Sequence, residues 1–197
     1  MKDSNLRTDD NLAWAIIFIQ EYSDMNAGTL IATILRHDKK VASYKNALIR
    51  SVNDVVLGFP HIGQQANAIA IPLRTLARFW VAYYWTFMDQ MTIILQAQKS
   101  TGKEDLSFRP ALTDLRKEWE SVVGLSRPAD GYFLVGEYLS KARWMHYPPV
   151  LYHAFSVAVL GIVDALQQPI RYAGPGLYSV FTTTRVTALS STGCQGF

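Results

Sequence analysis

An all-α fold is what this sequence predicts: a compact bundle of about six or seven helices, closed by a short extended, β-like C-terminal segment. Three observations lead there. Apolar residues recur at three- and four-residue steps through most of the 197 residues. Proline repeatedly stands where a helix would begin, at Pro72, Pro110, Pro128 and Pro149. The chain is 49% hydrophobic and 12% aromatic, which supplies a core and excludes disorder for most of its length. The expected organisation is a helical domain over residues 1–169, an extended or hairpin segment over 170–181 and a flexible tail over 182–197.

Taken in order, Asp9 and Asp10 suit the start of a first helix over 11–22, because acids complement the positive end of a helix dipole. Asn26-Ala27-Gly28 breaks it, and a short helix over 29–35 leads to a charged knot. The next helix carries Tyr44, Ala47, Leu48, Val52, Val55 and Phe59 on one face, with Ser43 or Asp38 as its cap. Gly58-Phe59-Pro60 stops it. Residues 61–71 read as a polar loop or frayed turn. Pro72 then opens a helix over 72–90 that is apolar over most of its circumference, which places it centrally in the core. Leu48, Leu76, Trp80 and Tyr84 are expected to be buried together. A loop over 96–107 precedes helices over 109–124, 129–142 and 149–169. Beyond Pro169, β-branched and aromatic residues surround Gly174-Pro175-Gly176, the grammar of an extended segment or hairpin. The threonine- and serine-rich end has no period of either kind.

The net charge of +3 is too small to imply nucleic acid by itself, but its distribution is uneven. From Arg36 to Arg78 the bases Arg36, Lys39, Lys40, Lys45, Arg50, Arg74 and Arg78 meet only Asp38 and Asp54, a local balance of +5. A loop dense in positive charge at the mouth of a helix suits a phosphate-facing surface. The same residues suit a solvated loop. The single cysteine, Cys194, permits neither an intrachain disulfide nor a thiolate metal site, and is compatible with a reducing, cytoplasmic setting. The N-terminus lacks the pattern of a signal peptide. The longest apolar runs, 79–88 and 151–163, are ended by Asp89 and Asp164 short of the roughly 20 residues of a membrane span, so a soluble chain with no membrane partner is expected.

Catalytic chemistry requires convergent side chains, and the sequence offers none. His146 and His153 flank two prolines at no standard metal spacing, and the neighbours His37 and Asp38 point apart on a helix. Glu118, Glu120, Glu137 and Asp164 are scattered among charged neighbours. No Gly-rich phosphate loop, H-E-x-x-H or G-x-S-x-G is present. No catalytic residue, metal ligand or cofactor is therefore assigned. The aromatic run 80–85 reads as core rather than as a base-stacking platform.

Two stretches carry a family likeness. The first is Arg36-His37-Asp38-Lys39-Lys40-Val41-Ala42-Ser43-Tyr44-Lys45 with Ala47-Leu48-Ile49-Arg50 and Asn53-Asp54-Val55-Val56. The second is Ile71-Pro72-Leu73-Arg74, Leu76-Ala77, Trp80-Val81 and Tyr83-Tyr84-Trp85. Together they resemble the N-terminal helical region of restriction-type HNH endonucleases, over residues 12–181. In such proteins this region precedes a small nuclease domain whose histidine activates water beside a divalent metal. The sixteen residues after Phe181 hold no histidine, aspartate, asparagine or glutamate, so that chemistry carries over to no residue here.

The resemblance implies a non-catalytic, DNA-engaging or regulatory helical domain, and it leaves enzymatic activity open. The expected partner is double-stranded DNA, bound weakly and through its backbone by Arg36, Lys39, Lys40, Lys45, Arg50, Arg74 and Arg78; a nuclease domain or a second copy of the chain would be further partners. If about four of those bases met phosphates, log affinity would fall with log salt at a slope on the order of −3 to −4. The alternative is a helical protein-interaction or oligomerisation module with no nucleic-acid role, which would expose an apolar or aromatic patch instead of a basic one.

Overall fold

The computed structural model of the chain describes residues 13–19, 43–58, 68–88, 105–173, 179 and 181–186. Among these, six α-helices form a mostly helical bundle: α1 (Ser43–Gly58), α2 (Leu73–Tyr84), α3 (Arg109–Val123), α4 (Asp130–Tyr138), α5 (Lys141–Trp144) and α6 (Pro149–Arg171). A single 3-10 turn, Trp85–Phe87, extends α2. Three strands, β1 (Ala13–Ile19), β2 (Ala68–Pro72) and β3 (Thr182–Val186), make one antiparallel sheet in the order β2-β1-β3.

The sheet corrects the reading of the first element. Within the stretch expected as a helix over 11–22, Ala13–Ile19 is β1, the central strand. It pairs Ile16 with Ile71 on one side and Ala15 with Thr184 on the other. Ala-Trp-Ala-Ile-Ile-Phe-Ile is an unbroken apolar run rich in β-branched and aromatic residues. Such a run fits a strand buried between neighbours as well as a helix, and here two partners satisfy its backbone. Part of the expected 61–71 loop is β2, whose Ala-Ile-Ala-Ile alternation has the period of a strand. β3 falls at Thr182–Val186, within the stretch expected as a tail. The expected helix over 29–35, and the Gly-Pro-Gly turn at 174–176, lie outside the described residues.

β2 runs directly into α2 through Pro72, whose φ of −58° suits both the strand end and the residue before a helix. α2 packs against α1, α4, α6 and β1. Leu73, Leu76, Ala77, Trp80, Val81 and Tyr84 are all buried, as its nearly all-round apolar character requires. Leu48, Leu76, Trp80 and Tyr84 belong to one buried cluster, as expected. Tyr44 closes it from α1, with its ring 5.4 Å from Trp80 and 5.7 Å from Phe108. Ser43 opens α1, and its hydroxyl pairs with that of Tyr84 at 2.9 Å.

α3 has Pro110 in its first turn and stops at Gly124, whose φ of +85° a side chain would resist. The expected helix over 129–142 is divided into α4 and α5. Ser140, extended at φ −109°, separates them and accepts a hydrogen bond from the Arg143 amide. Asp130 starts α4, and its carboxylate accepts from the Arg127 amide (2.8 Å) and from Trp119 Nε1 (2.9 Å). Gly131 is obligatory for packing: a Cβ there would lie 2.7 Å from Trp85 Cβ.

α6, the longest helix, packs on α1, α2 and α3. It is the one described helix long and apolar enough to cross a membrane by length and composition, with a mean hydropathy of 1.7. Its inner side, including Leu151, Phe155, Ala158, Ile162 and Leu166, is spent on the core. Pro169 is accommodated in its last turns. Beyond α6 the chain is tied back by the Ser179 hydroxyl, which donates to the Ile170 carbonyl, and by buried Phe181.

Candidate functional site

Of the seven bases assigned to a DNA-facing surface, Arg36, Lys39 and Lys40 lie outside the described residues. Of the other four, Lys45 and Arg50 stand on α1 and Arg74 and Arg78 on α2. Lys45 is only 5% exposed, on the core side of α1. Arg74 is half-buried in the first turn of α2. Arg78, one turn further, lays its guanidinium over the Tyr138 ring at 5.0 Å, an attraction between a cation and the negative face of the ring. Its Nε is buried without a hydrogen-bond partner.

Arg50 belongs to a polar constellation that draws on three helices. It stands on α1, over the Tyr83 ring at 4.3 Å, and donates to the Tyr132 hydroxyl at 3.0 Å. Tyr83, on α2, donates its own hydroxyl to Asp54 at 2.5 Å. Asp54 lies one helical turn beyond Arg50, with 3.8 Å between the carboxylate and Nε. Three helices thus meet through one carboxylate, one guanidinium and two phenols. Only the Arg50–Asp54 spacing was visible in the sequence. Tyr83 and Tyr132 come from elements far apart in the chain, and no local signal marked them.

The electrostatics of this constellation favour holding over reacting. Burial raises the Tyr83 phenol far above the ordinary tyrosine range, and the hydrogen bond and charge of Asp54 add to it, outweighing the opposing pull of Arg50. The phenol stays protonated as a donor to Asp54. Tyr84, Tyr138 and Tyr147 are also raised, each by burial first. An activated phenolate requires the opposite shift.

A second constellation joins α4 to α5. Glu137 is 8% exposed, and its carboxylate accepts from Arg143 at 2.9 Å and from the Tyr147 hydroxyl at 3.3 Å. Around it Tyr138 stacks on Phe155 with centroids 4.2 Å apart, and Trp144 meets Tyr138 edge-on at 5.1 Å. Both partners of Glu137 lie within ten residues, so the group acts as a clasp holding a helical corner. His146 and His153 are exposed. Among the described residues no group of three or more His, Cys, Asp and Glu side chains is placed to hold a metal ion.

The fold and these constellations define a mostly helical domain held together by aromatic packing and internal polar clasps. The chain belongs to the family described as "Domain of unknown function (DUF8808)", which it matches over residues 24–195. No curated protein and no solved structure matches it.

Proposed function

We propose that this domain is a helical protein-interaction module. The observation carrying the reading is what the helices turn outward. Arg50 and Arg78 are engaged with tyrosines of their own chain and Lys45 is buried. Large apolar side chains are turned out as well: Leu125, Phe133, Leu139 and Met145 around the α3–α4–α5 corner, and Val150, Val157 and Leu160 along α6. Singly, such residues are ordinary on a protein surface. On α6 they share one face of a helix whose opposite face is core, which makes that face a stripe that a partner can cover.

DNA engagement in the manner of an HNH endonuclease's helical region is the reading against which this one is tested. The experiment is titration of the purified chain onto a labelled 30-base-pair duplex at several salt concentrations. The interaction reading expects no saturable binding at low salt. Binding with a salt slope on the order of −3 to −4, reduced by Lys39→Glu with Lys40→Glu, would overturn it in favour of phosphate contacts.

A further inference from the structure

The outward face of α6 has a regularity beyond being apolar. Val150, His153, Val157, Leu160, Asp164 and Gln167 are all exposed. They follow one another at steps of three, four, three, four and three, the a/d spacing of a two-stranded seam. Any such stripe is symmetric in spacing about its midpoint, here between Ala158 and Val159. This one is also complementary in chemistry. Val157 mirrors Leu160, apolar on apolar, and His153 mirrors Asp164, imidazole on carboxylate. Val150 mirrors Gln167.

Mirrored positions meet when two identical helices pair antiparallel about a two-fold axis, because such an interface places the same patch of each copy on the other. A parallel pairing would set Asp164 against Asp164 and His153 against His153. The charge pattern therefore selects both the occupant, a second copy, and its direction.

We propose that the chain self-associates through α6, antiparallel, with Val157 and Leu160 of both copies at the centre and a His153–Asp164 pair on either side. This deepens the protein-interaction reading and rests on it. Ala158, Ile162 and Leu166 stay in the core of each copy, so pairing requires no unfolding of the bundle.

The test uses the full chain in a Cys194→Ser background. Val150→Cys and Gln167→Cys chains are prepared separately, then oxidised alone and as a mixture. In the antiparallel pair, position 150 of one copy lies beside position 167 of the other. The two copies of position 150 lie about 25 Å apart along the helix, far beyond the roughly 4.4–6.8 Å between Cα atoms that a disulfide spans. Covalent dimers forming in the mixture and not in either chain alone are the expected result. Self-crosslinking of Val150→Cys, or no crosslinking in the mixture, would overturn the pairing.

Sedimentation equilibrium gives a second readout. Leu160→Glu should weaken association by at least about tenfold, since a charge then enters the centre of the contact from both copies. It should leave the urea midpoint of the dilute monomer unchanged, because Leu160 is half-exposed. His153→Asp and Asp164→His should each weaken association, and the double variant should restore it. A chain that stays monomeric and ignores duplex DNA overturns the α6 pairing and leaves the broader interaction reading standing. A monomer that binds the duplex overturns both. A monomer that partitions onto phosphatidylcholine vesicles assigns the stripe to lipid and overturns the pairing.

Discussion

The hydroxyl of Tyr83 donates to the carboxylate of Asp54 at 2.5 Å, fastening α2 to α1 on the outer side of the bundle. Arg50 covers the same ring and reaches on to Tyr132 of α4, so one contact joins three helices. A hydrogen bond to an ionised acceptor contributes more than a neutral one. Asp54 is about a third exposed, and water takes over part of the loss. Tyr83→Phe should therefore destabilise the chain by about 1–2 kcal/mol, read as a lowered urea midpoint at neutral pH.

The same phenol makes stability depend on alkaline pH. Its folded pKa lies above the roughly 10 of an unfolded tyrosine, so the contribution is fully present below pH ~10 and is lost as pH rises further. Above pH ~10 the unfolded chain releases a proton that the native chain keeps. Stability then falls by up to about 1.4 kcal/mol per pH unit for each such group. Tyr83→Phe should lose stability less steeply than the parent between pH ~10 and ~11. Equal slopes in urea titrations over that range would contradict the assignment.

Trp80 sits at the centre of the core and is fully buried, so Trp80→Ala should cost about 3–5 kcal/mol. Its indole N–H has no hydrogen-bond partner. Trp80→Phe removes that unsatisfied donor while keeping a ring against Tyr44 and Phe108, and should cost clearly less than the alanine variant. Denaturant unfolding of the two variants side by side checks the order.

Two helical glycines should respond to alanine with opposite signs. At Gly131 the new methyl would meet Trp85 Cβ at 2.7 Å and the Ala82 backbone at 3.0 Å, so Gly131→Ala should destabilise by about 1–3 kcal/mol despite its better helix propensity. At Gly161 the nearest atom is Phe108 Cβ at 3.6 Å, an ordinary contact, and Gly161→Ala should stabilise by about 0.5–1 kcal/mol. Thermal melts of both variants decide it.

The helices were legible because their apolar residues repeat with a helix's period and proline marks several starts; Trp80, Leu76 and Leu48 follow directly from that pattern. β1 was hidden because Ala13–Ile19 is apolar at every position, and an unbroken run carries no period. Its state is decided by β2 and β3, which are distant in sequence. The constellation around Asp54 was hidden for the same reason, since Tyr83 and Tyr132 converge only after α2 and α4 have docked. The position of Lys45 beside the core follows from its place three residues before Leu48 on α1, a signal that its charge concealed.

A contact surface between copies of the chain on the outward face of α6 ties stability to concentration. The apparent Tm of the purified chain measured over a hundredfold range of concentration tests it most directly. Association that stabilises only the native state makes Tm rise with concentration. For a chain of 197 residues the rise should be about 3–5 °C, and Leu160→Glu should abolish it. A Tm that stays constant across that range, or one that rises equally in Leu160→Glu, would contradict the claim.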